Sequence, residues 1–404
     1  MTAATKRLRA AQTGVAGFAL GLLLFASLSE TAYWKDIQVE YLTAKALRDG
    51  VDVFTPLNEL SARYFPIATD NFPHPSPHPP VLAVLALPMT LLSFRVVVPL
   101  WLAFNVWLLI VVGRWLGISL PGALALAAWP PLWYLLLVGQ LELIILALAM
   151  LGWRAARAGR DWSAGLWLGL AAAIKLYPVL LVVPFLIRRR PCVVLAAGAV
   201  LVLSQAVGFA AIGTSGFWRY YLEVLPSVSA HYARVGLNVS PYGALLRLFG
   251  GASDVLPVID APHLVIPLTL AFSGFAFVSL ARMAPEAGPA AILVGLPNVW
   301  YTYPVLALPQ VVVLLRSRLR RAALVAIVAS SFVLPLANLL LTRVILVWMG
   351  WRGSVAPPVA AVVTAVQPAG FVALLILSVA LCRSGAEGTG NSRALGALPA
   401  VPGV

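Results

Sequence analysis

The chain has 404 residues, of which 61% are hydrophobic and 10% charged, and its mean hydropathy is +0.93. That balance excludes a soluble globular domain and predicts an all-α polytopic membrane protein. The net charge of +14 arises from short basic runs between apolar segments. This is the positive-inside pattern of cytoplasmic loops, so nucleic acid is not an expected partner.

The N-terminal Lys6, Arg7 and Arg9 precede an apolar stretch, 10–29, read as an uncleaved first span. The small residues Ala26-Ser27-Leu28-Ser29 keep a cleavable signal peptide as the alternative. An outer loop follows, 30–78, with interfacial helices. It gathers Glu30, Asp36, Glu40, Asp49 and Asp52 beside Tyr33, Trp34, Lys35 and Tyr41. Asp36 is either a solvated loop acid among interfacial aromatics or a general base tuned by partial burial. Glu40 stands at i+4 from Asp36, so one helix face holds both, unless Glu40 simply pairs with Lys35 or Lys45. Asp49 and Asp52 flank Gly50, a turn pattern with only weak metal-binding character. His74 and His78 lie in the Pro-rich run 72–80, where they bind a polar ligand or decorate the loop.

Segment 80–94 is expected to be interfacial or re-entrant, and 97–113 the second span. Three later segments run between basic runs that all belong on the cytoplasmic side, so each must go up and come back. The first, 119–153, turns at Gly139-Gln140-Leu141-Glu142. The second, 162–187, has arms that rise only ~18–20 Å as helices, short of the ~30 Å hydrocarbon core. Its tip holds Lys175, an ammonium expected below the membrane surface, with a phosphate or an outer carboxylate as natural target. The third, 288–315, turns at Trp300-Tyr301-Thr302-Tyr303-Pro304. The three tips are expected to share one cavity.

Between them, 192–213 is a span and 214–262 a second large outer loop. That loop holds Trp218, Arg219, Tyr220, Tyr221, His231, Arg234, Asn238 and Arg247, a mixture suited to sugar stacking and phosphate binding or to an interfacial loop. Asn105, Gln205 and Asn338 inside spans read as interhelical hydrogen-bonders. Spans 264–281, 322–342 and 357–381 bring the count to about twelve with both termini inside. Most of the 14 acids then lie outside. Residues 1–382 form one integral membrane domain and 383–404 a disordered cytoplasmic tail. Cys192 and Cys382 form neither a disulfide framework nor a metal spacing. No Gly-rich phosphate loop, dinucleotide fingerprint or GxSxG motif occurs.

In order, the chain presents Asp36, Tyr41, Ala44, Gly50-Val51-Asp52-Val53-Phe54, His78-Pro79-Pro80 and Gly139-Gln140. Gly165-Leu-Trp-Leu-Gly169-Leu-Ala-Ala-Ala-Ile-Lys175-Leu-Tyr-Pro178, Asn238-Val-Ser240, Arg247 and Pro297-Asn-Val-Trp300 follow. With these the sequence resembles glycosyltransferase family 87, polyprenyl-phosphate-mannose-dependent α-mannosyltransferases of the C-type membrane fold. The resemblance covers residues 30 to about 315. It implies transfer of a hexose, mannose first among them, from a polyprenyl-phosphate donor to a glycolipid or glycan acceptor, with inversion. The site would face outward from a multi-pass protein of the cell inner or plasma membrane, among membrane lipids. Asp36 would be the catalytic base, and Glu40, Tyr41, Asp52, His78, Gln140, Lys175, Arg219, Asn238, Arg247 and Trp300 would bind substrate. Lys175, with Arg219 or Arg247, would neutralise the leaving phosphate, so neither a metal nor a cofactor is expected. The family often has a His where this chain has Thr302, a role open to His74, His78 or His231. A transporter or flippase of lipid-linked sugars is the alternative, and a scaffold without activity a third reading.

Overall fold

The structure is a computed structural model that describes residues 3–28, 35–65, 73–236, 238–282, 288–331, 350, 353 and 355–387. Glu30, Tyr33, Trp34, the Lys35 side chain, Asn338 and the tail beyond Glu387 lie outside the described residues. Among the described residues the chain is helical, and the one β-type contact is an isolated parallel bridge between Val255 and Ala356. Among the described residues, five helices are long and apolar enough to cross a membrane: Arg7–Ala26, Phe94–Trp115, Pro191–Ala233, Pro262–Arg282 and Pro358–Arg383. A sixth candidate is the pair Leu120–Ala128 and Pro130–Val138, bent by 78°. Two compact units, 1–229 and 230–404, divide the chain.

The first unit begins with α1 (Ala3–Leu28), followed by α2 (Lys35–Arg48) and α3 (Leu57–Tyr64). Apolar side chains of α2 and α3 close a small core of Val39, Leu42, Ala46, Leu57 and Leu60. Next come α4 (Pro80–Leu85), a 3-10 turn over Leu87–Leu91, and α5 (Phe94–Trp115). Together α4 and its 3-10 turn rise only ~18–24 Å. Then α6 (Leu120–Ala125) and α7 (Pro130–Val138) lead to a left-handed Gly139, after which α8 (Glu142–Arg157) begins. The helix α9 (Asp161–Ile174) stops at an extended Lys175. Pro178 cannot donate to the Ile174 carbonyl, so the helical ladder cannot continue. The chain instead makes a 3-10 segment, Tyr177–Val182, and α10 (Val183–Ile187).

The Gly165 and Gly169 face of α9 packs on α11 (Pro191–Arg219). A Cβ at Gly169 would stand 2.9 Å from the Ala197 carbonyl oxygen, and one at Gly165 would meet the Val193 carbonyl still closer. Small residues one turn apart thus let two apolar helices touch backbone to backbone. The same helix leads into the segment expected to form the second outer loop, 214–262. After a break at Gly213, helical structure continues through Tyr220–Val224 and α12 (Leu225–Ala233). The apolar and aromatic residues of 215–233 keep a helix going, because a charge such as Arg219 marks a membrane edge without ending a helix.

The second unit holds α13 (Pro241–Phe249), α14 (Val265–Arg282), α15 (Gly288–Gly295), α16 (Leu308–Leu315), α17 (Arg320–Ser331) and α18 (Pro358–Glu387). Val311, Leu314, Ala323, Ala326, Ile327, Leu374 and Leu381 form one of its apolar clusters. The last helix runs past residue 383 to Glu387.

Candidate active site

Four polar side chains from three separate stretches of the first unit meet in one chain of hydrogen bonds. Gln140 Nε2 donates to Asp36 Oδ2 at 2.7 Å. Lys175 Nζ donates to Gln140 Oε1 at 2.8 Å and to Glu142 Oε1 at 2.5 Å. An ammonium has no acceptor, so the amide oxygen of Gln140 must face Lys175 and its NH2 must face Asp36. Glu142 is fully buried and Lys175 is 5% exposed.

Local structure explains the meeting. Gly139 adopts φ +77°, and a Cβ there would stand 2.7 Å from Ile37 Cβ. Only glycine lets the tip turn left-handed while the first turn of α2 packs against it. Trp101 on α5 ties the tip down by donating its indole N–H to the Gly139 carbonyl at 3.0 Å. Gln140 is thereby placed beside Asp36. The charges also suit the helix ends they occupy. Asp36 and Glu142 sit in the first turns of α2 and α8, and Lys175 caps the C-terminus of α9. Gly139→Ala is therefore expected to cost about 1–3 kcal/mol and to displace Gln140. Thermal unfolding in detergent and the transfer rate should both fall.

Asp36 is half-buried, and loss of hydration pushes its carboxyl up from 3.8 to about 6. Lys175, the Gln140 hydrogen bond and His78 pull it down, while Glu142 adds to the rise. A carboxylate so held is ionised at neutral pH yet basic enough to take a proton in a transition state.

One turn along α2, Glu40 Oε1 lies 2.5 Å from His78 Nδ1, and both are largely buried. The pair lines a cavity of about 10 Å³ with Thr43, Val53, Phe54 and Ser76, room for roughly one water. The Arg219 guanidinium lies 5.8 Å above the Phe54 ring and donates from Nη1 to Asp52 Oδ2 at 2.6 Å. This pair is half-exposed. Asp52 also accepts from the Phe54 amide at 2.9 Å.

Several other expected site residues make packing and main-chain contacts. Tyr41 is 6% exposed. It donates its hydroxyl to the Leu92 carbonyl at 3.0 Å and stacks on Phe65, which fastens α2 to the turn after α4. In the second unit, Asn238 Nδ2 donates to the Pro297 carbonyl, and its Oδ1 accepts from the Ser240 and Val299 amides. Arg247, 1% exposed, donates to Asn238 O and to Thr364 Oγ1, each at 2.9 Å. Burial lowers its guanidinium to about 10. Sequence segments some sixty residues apart thus form one bracket under the Pro297–Trp300 turn. Trp300 crosses the Tyr232 ring edge-on, with centroids 4.8 Å apart. Thr302 is buried, and its Oγ1 has no hydrogen-bond partner.

His74 Nδ1 lies 2.7 Å from the carbonyl of neighbouring Pro75, and His231 packs on Tyr232. Asn105 donates to the Trp101 carbonyl of its own helix rather than across helices. Gln205 accepts from the Tyr221 hydroxyl. Among the described residues no three His, Cys, Asp or Glu side chains cluster with metal-binding geometry. Sequence reasoning did not single out Glu142. Its signal was present, as the one acid between Asp70 and Asp161, standing at the head of an apolar helix.

No solved structure matches the chain. It is 31% identical over 206 residues to a polyprenol-phosphate-mannose-dependent alpha-(1-2)-phosphatidylinositol pentamannoside mannosyltransferase from Mycolicibacterium smegmatis. That match covers 47% of this chain and 48% of the relative, so the chain spans about half the relative's length. It is 27% identical over 359 residues, 79% of each protein, to a polyprenol-phosphate-mannose-dependent alpha-(1-2)-phosphatidylinositol mannoside mannosyltransferase from Mycobacterium tuberculosis. The sequence model of glycosyltransferase family 87 matches residues 77–300, a stretch containing His78, Gln140, Glu142, Lys175, Arg219, Asn238, Arg247 and Trp300. With more than half of its length matched in this way, the chain belongs to glycosyltransferase family 87.

Proposed function

We propose that the chain transfers mannose from a polyprenyl-phosphate donor to a hydroxyl of a glycolipid acceptor at the extracytoplasmic face, with Asp36 as general base. The observation that carries this reading is the single line of contacts from Asp36 through Gln140 to Lys175 and Glu142. A carboxylate with a proton affinity near neutrality, oriented by a locked amide, is what proton removal from a sugar hydroxyl requires. Both relatives are named for transfer from polyprenol-phosphate mannose, and this supplies the donor class. In the step, Asp36 takes the acceptor proton as the acceptor oxygen bonds to the anomeric carbon. The bond from that carbon to the donor phosphate breaks with inversion, and polyprenyl phosphate leaves with the electron pair.

The two cations of the first unit's site divide the work. Lys175 is buried against Glu142, and dissolving that pair would strand a buried charge. Arg219 is paired with Asp52 at a half-exposed position, where an ion pair contributes little and exchanges readily for another anion. Arg219 is therefore the proposed phosphate ligand, and Lys175 holds the base's surroundings. Arg219→Met is expected to raise the donor KM by roughly 10–100-fold with a smaller change in kcat, and Arg219→Lys to recover part of the loss.

The broken segments at Gly139 and Lys175 and the positive-inside charge pattern support a C-type fold of about twelve crossings, with the site outside the cytoplasm in the cell's inner or plasma membrane. The test is transfer of label from radiolabelled polyprenyl-phosphate mannose into acceptor lipid by the purified protein. A carrier of lipid-linked sugars would move the donor across vesicles and make no new glycosidic bond.

A further inference from the structure

We propose that Glu142 is a positioning residue of this site: it anchors Lys175 at the tip of the α7–α8 turn, and Lys175 in turn locks Gln140 with its NH2 toward Asp36. This rests on the base role proposed for Asp36. Glu142 is hydrogen-bonded to Lys175 and acts on Asp36 through it and through its charge. It stands at the head of α8, fully buried. Its Oε1 lies 2.5 Å from Lys175 Nζ. Its Oε2 is buried without a hydrogen-bond partner, a state that costs a carboxylate free energy. An ion pair that leaves one oxygen unsatisfied contributes less to stability than a complete network does. The unsatisfied arrangement persists where the ammonium lies between two acids, Glu142 on one side and the Gln140–Asp36 pair on the other.

The geometry gives Glu142 a second effect. Without it, the ammonium's opposite charge would act on Asp36 alone and would make that carboxylate a weaker base. With it, Lys175 is largely neutralised and still orients the amide. The charged groups facing Asp36 are Lys175 from the end of α9, Glu142 from the head of α8, and His78 from the segment before α4. Glu40 follows on α2 itself.

The test is the pH profile of kcat/KM in three variants of the full-length protein. Glu142→Gln keeps an acceptor for Lys175 and removes only the charge. It should lower the plateau rate about tenfold and move the acid limb to lower pH. Lys175→Met should move the limb the other way, because Asp36 then loses its nearest cation. Glu142→Asp keeps the charge, retracted by one methylene, and should restore the limb to its wild-type position with a reduced rate. It remains informative if Glu142→Gln does not fold. Opposite displacement of the two limbs is not the result of a merely structural pair, which would change rate or yield without a directed shift. A wild-type profile in Glu142→Gln, or a displaced limb in Glu142→Asp, overturns the assignment. If Asp36→Asn is inactive and the Glu142 variants are unshifted, only this inference fails. If Asp36→Asn is active, the base reading itself fails.

Discussion

Replacing Asp36 by Asn is expected to lower transfer by about 10²–10⁴-fold, the range associated with loss of a general base, while leaving the protein folded. The amide is nearly isosteric, and its oxygen can still accept from Gln140 Nε2, so the tip of the α7–α8 turn keeps its contact with α2. Folding should in fact improve. The folded-state value of Asp36 stands at about 6 against 3.8, so the folded protein binds this proton more tightly than the unfolded chain does. Ionisation of Asp36 costs the fold nothing below about 3.8 and its full amount above about 6. Discounted for the partial exposure of the carboxylate, that amount is ~1–3 kcal/mol. At pH 7.5–8, then, Asp36→Asn should melt higher than the wild type in the same detergent, and the difference should vanish toward about pH 4. A stabilised but inactive variant is the mark of a strained functional group. An equally inactive variant that melts lower would point to a structural acid instead.

The second large effect is on stability. Lys175→Met removes the partner of a fully buried carboxylate, and breaking such a pair from one side costs about 3–5 kcal/mol. A loss of this size is visible as a markedly lower melting temperature in detergent. Removing Glu142 as well, in Lys175→Met/Glu142→Gln, leaves a neutral buried pair and should recover most of the lost stability. Activity should stay below the wild-type level, because nothing then fixes which end of the Gln140 amide faces Asp36. A double variant that melts like Lys175→Met alone would contradict the direct pairing of these two side chains.

Much of this arrangement was legible in the sequence. The breaks at Gly139 and Lys175 follow from local chemistry, a glycine that can turn left-handed and a proline that cannot extend a helix. The charges at 36 and 175 stood out because carboxylates and ammonium groups are scarce in so apolar a chain. What could not be read was partnership. The spacing gave no reason to prefer Glu142 over Asp36 as the anion for Lys175, since that choice depends on how α8 and α9 meet in space. Tyr41, Asn238 and Arg247 stand among the substrate-binding residues that the family resemblance implies. Each proves to be bonded to backbone or to a neighbouring helix, because a buried polar group must find a partner and the main chain is the nearest supply. The helical course of 215–233 was missed for a related reason, since basic and aromatic residues mark a membrane interface without saying how the chain is coiled there. Arg219 and Asp52, far apart in sequence, found each other only in the fold.

The most direct measurement is the pH dependence of kcat/KM for transfer by the wild-type protein. The rate should be high at neutral pH and fall as the pH drops through about 6, following a single ionisation that Asp36→Asn abolishes together with the activity. A rate that holds constant from about pH 8 down to about pH 4.5, where an ordinary carboxylate begins to protonate, would mean that no buried base of this kind governs the reaction.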